Sequence, residues 1–294
     1  MIRENFKFLL VLLVFLFFSN ILAWILVFDL SKEKFLEVDF FDVGQGEAIL
    51  IQTPQGHQIL IDGGPNSKIL EKLKKTMPFW DRVIDLVILT HPETDHLTGL
   101  LEVLKKYKIE NILWTGVVKK TPEYKEWERL IQQEKAKTKI AIAGQRVFCE
   151  GCDWEIEILY PKESFFGVEM EDTNNTSIVA KLNFEKISFL FTGDVYKEGE
   201  EKILETKENL KSLFLKVAHH GSKTSSSENF IEKVLPKIAI ISLAKDNKYG
   251  HPHQEVLEIF KKFGIKVLRT DIDGDIKIIS DGLGYEISNF QNKN

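Results

Sequence analysis

The sequence predicts a mixed α/β (α+β) domain built from two similar halves, preceded by one N-terminal transmembrane helix. Three observations carry this. From Phe35 onward, short apolar runs with strand-like alternation interleave with stretches of helical spacing. No linker rich in Pro, Gly or Ser divides them. One earlier segment, Phe8 to Phe28, is apolar apart from Ser19 and Asn20.

That segment is long enough to span a bilayer. At about 1.5 Å rise per residue, its roughly 21 residues reach about 30 Å. A cleaved signal peptide has an apolar region of about 7–15 residues and a small-residue cleavage site. Here the run is longer and continues into Asp29-Leu30-Ser31-Lys32-Glu33-Lys34, with no A-x-A pattern. An uncleaved anchor over residues 1–34 is therefore expected. Arg3 and Lys7 on one flank face Lys32 and Lys34 on the other, a mild preference for the amino terminus inside. The expected location is the cell membrane, single-pass, with the domain extracytoplasmic.

In the soluble part, Leu36, Val38 and Phe40 alternate with outward positions, and Ala48–Gln52 and Gln58–Ile61 follow across Pro54-Gln55-Gly56 as a hairpin. Ser67–Lys75 has helical spacing at Ile69, Leu70 and Leu73, stopped by Pro78. Val83–Leu89 is a continuous apolar run, the mark of a buried strand. A helix at Leu97–Tyr107, a strand at Ile112–Trp114 and a polar helix at Glu123–Lys135 complete the first half. In the second half, strands are expected at Trp154–Leu159, Ser177–Leu182, Ile187–Phe191, Leu213–Ala218, Ile238–Ser242, Lys266–Thr270 and Ile276–Ser280. Helices are expected at Glu228–Val234 and Gln254–Phe263.

Composition narrows the function classes. Among 294 residues, 44% are hydrophobic and 28% charged, so disordered and fibrous classes are excluded. The net charge of −5 disfavours a bulk nucleic-acid coating protein, since phosphate affinity comes from clustered Lys and Arg, but leaves room for a local basic groove. Two cysteines, Cys149 and Cys152, exclude a disulfide-stapled scaffold and a four-cysteine zinc site. Without a thioredoxin-like context, they read as a small disulfide outside the cell or as free thiols inside, rather than as a redox pair.

The informative pattern is where His and Asp fall. Six of seven histidines follow apolar strands: His91, His96, His219, His220, His251 and His253. Asp194 ends its own strand in Thr192-Gly193-Asp194. Strand ends are where loops carry chemistry on a rigid frame, and clustered imidazole and carboxylate suit Zn, Mn or Fe. The turns Gly44-Gln45-Gly46 and Gly63-Gly64-Pro65 let backbone pass close to such a site. Neither is a nucleotide fingerprint, because G-x-G-x-x-G is absent. His57 sits in a hairpin turn and reads as solvated.

On these residues the chain resembles a known family. His91-Pro92-Glu93-Thr94-Asp95-His96 is similar to the H-x-H-x-D-H signature of the metallo-β-lactamase fold, and Thr192-Gly193-Asp194 to its bridging aspartate. In order, FFDVGQGEAILIQTPQG, LIDGG, LTHPETDHLTGL, TGD, VAHHGSKTS and YGHPHQEVLEIF resemble the metallo-β-lactamase-like hydrolase domain of ComEC-type competence proteins, over about Phe35 to Ser280. The multi-span channel region of those proteins has no counterpart here. The resemblance implies a four-layer αββα sandwich over residues 35–294. It also implies two divalent metal ions, Mn or Zn, held by His91, Glu93, Asp95, His96, Asp194 and a later histidine. That last ligand is open among His219, His251 and His253.

Glu93 stands where many fold members have histidine, and Asp172, Asn174 and Asn175 occupy the place of a third first-site histidine. Such a first site is oxygen-rich and shifted toward Mn or Mg. Catalytic roles fall to Asp95 and to a non-ligand histidine, His220 or His253, protonating the leaving oxygen. Asn175, Ser222, Lys223 and Thr224 are candidate substrate contacts, the last three as a phosphate cradle at the start of the following helix. The bland reading of Ser222–Ser227 is a solvated loop capping that helix.

The function so implied is a membrane-anchored, metal-dependent phosphodiesterase or nuclease acting on DNA in competence-type uptake. Its partners would be single-stranded DNA, the membrane and a separate channel protein. Two rivals are a hydrolase of a small phosphodiester, lactone or thioester, and a catalytically degenerate module that binds DNA or a partner.

Overall fold

A computed structural model describes residues 2–30, 35–206 and 208–289. Its contacts divide the chain into two units, Met1–Lys34 and Phe35–Asn294. The first is a single helix, α1 (Ile2–Leu30), exposed along its apolar length and long enough to cross a membrane. Ser19 satisfies its hydroxyl within the helix by donating to the Phe15 carbonyl at 2.8 Å. Lys32 and Lys34 lie outside the described residues.

The second unit is a four-layer αββα sandwich. One sheet has the order β15-β14-β1-β2-β3-β4-β5-β6. Its strands are β1 (Leu36–Phe40), β2 (Ile49–Gln52), β3 (Gln58–Ile61), β4 (Val83–Leu89), β5 (Lys108–Trp114), β6 (Lys137–Ile140), β14 (Ile276–Ser280) and β15 (Tyr285–Asn289). The other runs β13-β12-β11-β10-β9-β8-β7. It comprises β7 (Arg146–Phe148), β8 (Trp154–Tyr160), β9 (Val179–Phe184), β10 (Ile187–Phe191), β11 (Phe214–Lys216), β12 (Ile238–Ile241) and β13 (Lys266–Arg269).

The alternation seen in the sequence becomes a division of faces. Val38, Phe40, Ile49, Ile51, Ile59 and Ile61 meet Ile156, Leu182, Phe189 and Phe191 between the sheets. Leu50, Leu60, Val87 and Leu89 turn outward and pack under α2 (Lys68–Thr76), α3 (Thr94–Leu104) and α4 (Pro122–Glu134). On the far side, Leu190, Leu215, Ala239 and Ile241 pack under α5 (Lys197–Leu204), α6 (Glu228–Val234) and α7 (Gln254–Lys262). A short α8 (Thr270–Asp273) follows β13. The inner parallel strands β3, β4 and β12 are largely buried on both faces, which is why they read as unbroken apolar runs.

Five named elements go beyond the sequence expectation, the short α8 among them. β6 is a polar edge strand, β7 a three-residue, largely exposed edge strand, and β15 adds an edge strand beyond β14. Charge and exposure there protect a sheet edge but erase the hydrophobic pattern. α5 is too rich in charge to show an apolar stripe. α3 begins at Thr94, not Leu97, so Asp95 and His96 lie in its first turn rather than in a loop. Cys149 and Cys152 form a disulfide in the β7–β8 connection.

Candidate metal centre

The parallel strands of both sheets end on the same side, and the candidate residues gather there. Asp95 and His96 come from the first turn of α3, Asp194 from the loop after β10, and His220 from the turn after β11. Their ligand atoms all lie within 4.8 Å of one another. His96 Nε2 and His220 Nε2 each stand 3.3 Å from Asp194 Oδ2, and His220 Nε2 is 3.2 Å from Asp95 Oδ2.

Close backbone approach makes this possible. Gly46 has φ +149° and packs on the Asp95 carbonyl, which a Cβ there would meet at 2.2 Å. The neighbouring Glu47 N–H donates to that same carbonyl. Gly99 of α3 lies so near Gly63 that a Cβ would come 1.9 Å from the Gly63 carbonyl oxygen. The glycine turns noted in the sequence thus seat α3 against β3.

Each inward imidazole is oriented from behind. His96 Nδ1 donates to Asp62 Oδ2 at 2.7 Å, and His220 Nδ1 donates to the Ser242 carbonyl at 2.7 Å. Both bonds leave Nε2 facing the cluster, the arrangement in which outer partners fix the tautomer of a metal-binding histidine. Asp62 is itself held by the Thr90 amide and hydroxyl, at 2.8 and 2.6 Å. Burial raises the Asp62 carboxyl to about 6, against the pull of His96.

The cluster's electrostatics suit a cation. Burial opposes charge on Asp194, but His220 and His96 hold it well below the usual carboxylate range. Burial likewise works against His220, yet Asp194 and Asp95 raise it to about 9. The same carboxylates that favour protons on these imidazoles would favour a divalent cation in their place, with release of the protons. Asp194 Oδ1, His91 Nε2 and His96 Nε2 are buried without a hydrogen-bond partner. Buried polar atoms are rarely left so, and the N and O donor set fits Zn or Mn.

The histidine pair is also conformationally unusual. His219 and His220 both lie in the left-handed region, at φ 49° and 55°. For residues other than glycine this costs about 1–2 kcal/mol each. The consequence is that His220 turns inward and is buried, whereas His219 Nε2 stands 4.0 Å from Asp194 and its Nδ1 meets Thr224 Oγ1 at 3.1 Å. The expectation left the later ligand among His219, His251 and His253, with His220 or His253 as a proton donor. Of His219 and His220, the structure puts His220 closer to Asp194.

The remaining candidates take different places. His91 is buried, its ring centroid 4.2 Å from that of His96, and burial pushes it down to about 3. Its Nδ1 lies 3.0 Å from Thr90 Oγ1 and 3.2 Å from Ser177 Oγ. Glu93 is absent from the cluster. It pairs with Lys119 and accepts from the Thr173 amide and hydroxyl, at 3.1 and 2.7 Å, so a cation at the edge of the fold already claims its charge. Without Glu93, the argument for an oxygen-rich first site loses its main donor. Asn175 Oδ1 accepts from the Tyr196 amide and the Asn175 carbonyl from the Tyr160 hydroxyl, a loop-holding arrangement.

His251 stacks within 6.4 Å of His220, and its ring lies 5.0 Å from His253. Burial lowers His251 to about 4. His253 precedes α7, and its Nδ1 accepts from the Lys223 amide at 3.3 Å. Ser222 and Thr224 bond to each other at 2.9 Å, while α6 starts at Glu228 under its own cap, Ser227. The proposed cradle therefore stands ahead of the helix rather than at its start.

Sequence reasoning passed over three residues that support the site: Asp62, Glu47 and Ser177. Asp62 carried a readable signal, since a carboxylate ending an apolar strand must find a buried partner.

The fold and site have known counterparts. The family profile described as the metallo-beta-lactamase superfamily matches residues 41–245. ComE operon protein 3 of Bacillus subtilis is 32% identical over 258 residues, covering 82% of this chain and 32% of that protein. Competence protein ComA of Neisseria gonorrhoeae is 32% identical, covering 84% of this chain and 32% of that protein. Recombination protein 2 of Haemophilus influenzae is 30% identical, covering 86% and 30%. The chain thus spans about a third of the length of the curated relatives it matches. Among solved structures, the metallo-beta-lactamase fold protein YhfI of Bacillus subtilis superposes with a TM-score of 0.54 at 12% identity, covering 84% of this chain and 100% of that one. With the four layers, the strand-end cluster and a profile match over most of its length, this chain belongs to the metallo-β-lactamase superfamily.

Proposed function

We propose that this protein is a membrane-anchored, metal-dependent phosphodiesterase that cleaves DNA, with single-stranded DNA in competence-type uptake as its substrate and a separate channel protein as its partner. The observation that carries the reading is the convergence of His96, His220 and Asp95 on Asp194, each imidazole fixed from behind. The competence relatives supply the substrate class. The Cys149–Cys152 disulfide and the apolar α1 support an extracytoplasmic domain on a single-pass anchor.

Asp95, His96, Asp194 and His220 would hold one divalent ion, Mn or Zn, and His91 with Asp194 would contribute to a second. When bound, such ions supply Lewis acidity and activate water at neutral pH. The chain's own residues do the rest. Asp62 and Ser242 keep the two imidazoles from rotating. His253, whose Nδ1 accepts from the Lys223 amide, would protonate the leaving oxygen from Nε2 as the P–O bond breaks. Exposed Lys223, between Ser222 and Thr224, would meet the phosphodiester backbone.

The test is hydrolysis of labelled single-stranded DNA and of an aryl phosphodiester, with Mn, Zn or chelator, beside Asp194→Ala. Metal-dependent cleavage lost in the variant is expected. No turnover of either substrate with any metal would overturn the proposal.

A further inference from the structure

Strand direction gives the folded domain two ends. β1, β3, β4, β5 and β6 all point the same way, so Leu36, Val83, Lys108 and Lys137 open their strands at one end. Thr90, His91 and the metal cluster stand at the other. Along the seven residues of β4 the two ends are about 23 Å apart.

The opening end has an unusual surface. Between α2 and β4, Phe79 and Trp80 are 78% and 72% exposed and meet edge to face at 4.8 Å. Leu283, in the β14–β15 turn, is 67% exposed at the same end, because Ser280 pairs with Leu36. α2, α3 and α4 run back from the metal end and deliver exposed Lys74, Lys106 and Lys135 there. None of these lysines, nor Arg82 or Lys137, makes an ion pair among the described residues. Lys75, Lys105 and Lys108 do pair, with Glu71, Glu102 and Glu110, in surface contacts that are individually weak.

Helix dipoles account for lysines at helix C-termini. They do not account for two large rings left in water. An indole favours the headgroup level of a bilayer and a Phe ring the adjacent acyl boundary, and nearby Lys and Arg strengthen binding to an anionic surface. The compact unit also begins at this end, at Phe35, with β1 three strand spacings, about 14 Å, from β4.

We propose that this end is a lipid-docking face: Phe79 and Trp80 seat at the headgroups of an anionic bilayer, and the metal cluster faces solution on the opposite side. The proposal rests on reading α1 as a bilayer span. It implies that substrate reaches the cluster from the aqueous phase.

The test uses the full chain in phosphatidylcholine/phosphatidylglycerol vesicles with or without brominated acyl chains. Trp114, Trp127 and Trp154 are buried, so among the described residues the exposed indoles are Trp24 and Trp80. Trp80→Phe protein reports the span through Trp24, and Trp24→Phe protein reports docking through Trp80. Docking predicts that the exposed-indole emission of Trp24→Phe protein is quenched in brominated vesicles relative to unbrominated ones, as for a ring at headgroup level. Replacing Lys74, Lys106 and Lys135 by Glu should relieve that quenching. Unquenched Trp80 beside quenched Trp24 overturns the docking face and leaves the anchor standing. Unquenched Trp24 overturns both.

Discussion

Glu47 and Lys216 form an ion pair that solvent does not reach, both side chains being fully buried. Glu47 belongs to the β1–β2 connection and Lys216 ends β11, so the pair ties one sheet to the other directly behind His96. Removing one partner strands a buried charge, which costs about 3–5 kcal/mol. Lys216→Met should lose that much in urea denaturation. Combining it with Glu47→Gln should recover most of the loss, and a double variant no better than the single one would show that the pairing is not what matters.

Asp62 orients His96 without facing the cluster itself. Removing such an outer partner lowers metal affinity about 10–100-fold. Asp62→Asn should show this in competition with a chromophoric chelator while the fold persists. An unchanged affinity would mean that Thr90 and packing suffice to hold the ring.

Asp39 stands opposite Lys277 across the β1–β14 pair. Burial raises its carboxyl to about 7, against the pull of Lys277 at 3.4 Å and with help from Glu37 and Asp275. In the unfolded chain it titrates near its ordinary value of about 4. The folded state thus binds the proton more tightly, and this contribution to stability is complete below about pH 4 and lost as pH rises through about 7. Asp39→Asn cannot titrate. Its stability relative to the parent should improve between about pH 4 and 8, by at most about 4 kcal/mol. A pH-independent difference in denaturation midpoint would contradict this.

Gly99 and Gly63 leave no room for a side chain. Gly99→Ala should push α3 off β3, costing about 1–3 kcal/mol by overpacking and weakening metal binding through Asp95 and His96. Gly284, where an added Cβ meets nothing nearer than 3.9 Å, is the control. Thermal melts and metal titrations on Gly99→Ala and Gly284→Ala would separate the two.

Much of this was legible in the sequence because local signals agreed. The buried parallel strands announce themselves as apolar runs, and Asp95, His96 and Asp194 sit where strand ends and motif spacing put them. Which of His219 and His220 faces Asp194 was not legible, because two adjacent histidines differ only in where a left-handed backbone turn aims them, which residue type does not reveal. Glu93 looked like a ligand because it falls within the His91–His96 motif, while its partner Lys119 is 26 residues away in the chain. Edge strand β6 was silent because polar residues are what keep an edge soluble, and β7 because three residues are too few to show an alternation.

The pairing of β1 with β14 joins strands from opposite ends of the domain's sequence. During synthesis, β1 can meet β2 early, but its other edge stays open until almost the entire domain has emerged. A product truncated before Ile276 would keep Leu36-Glu37-Val38-Asp39-Phe40 as a bare, largely apolar strand edge, the template from which chains associate with one another. The final hairpin therefore acts as a late seal, and incomplete copies of this protein are expected to aggregate rather than persist as partly folded domains.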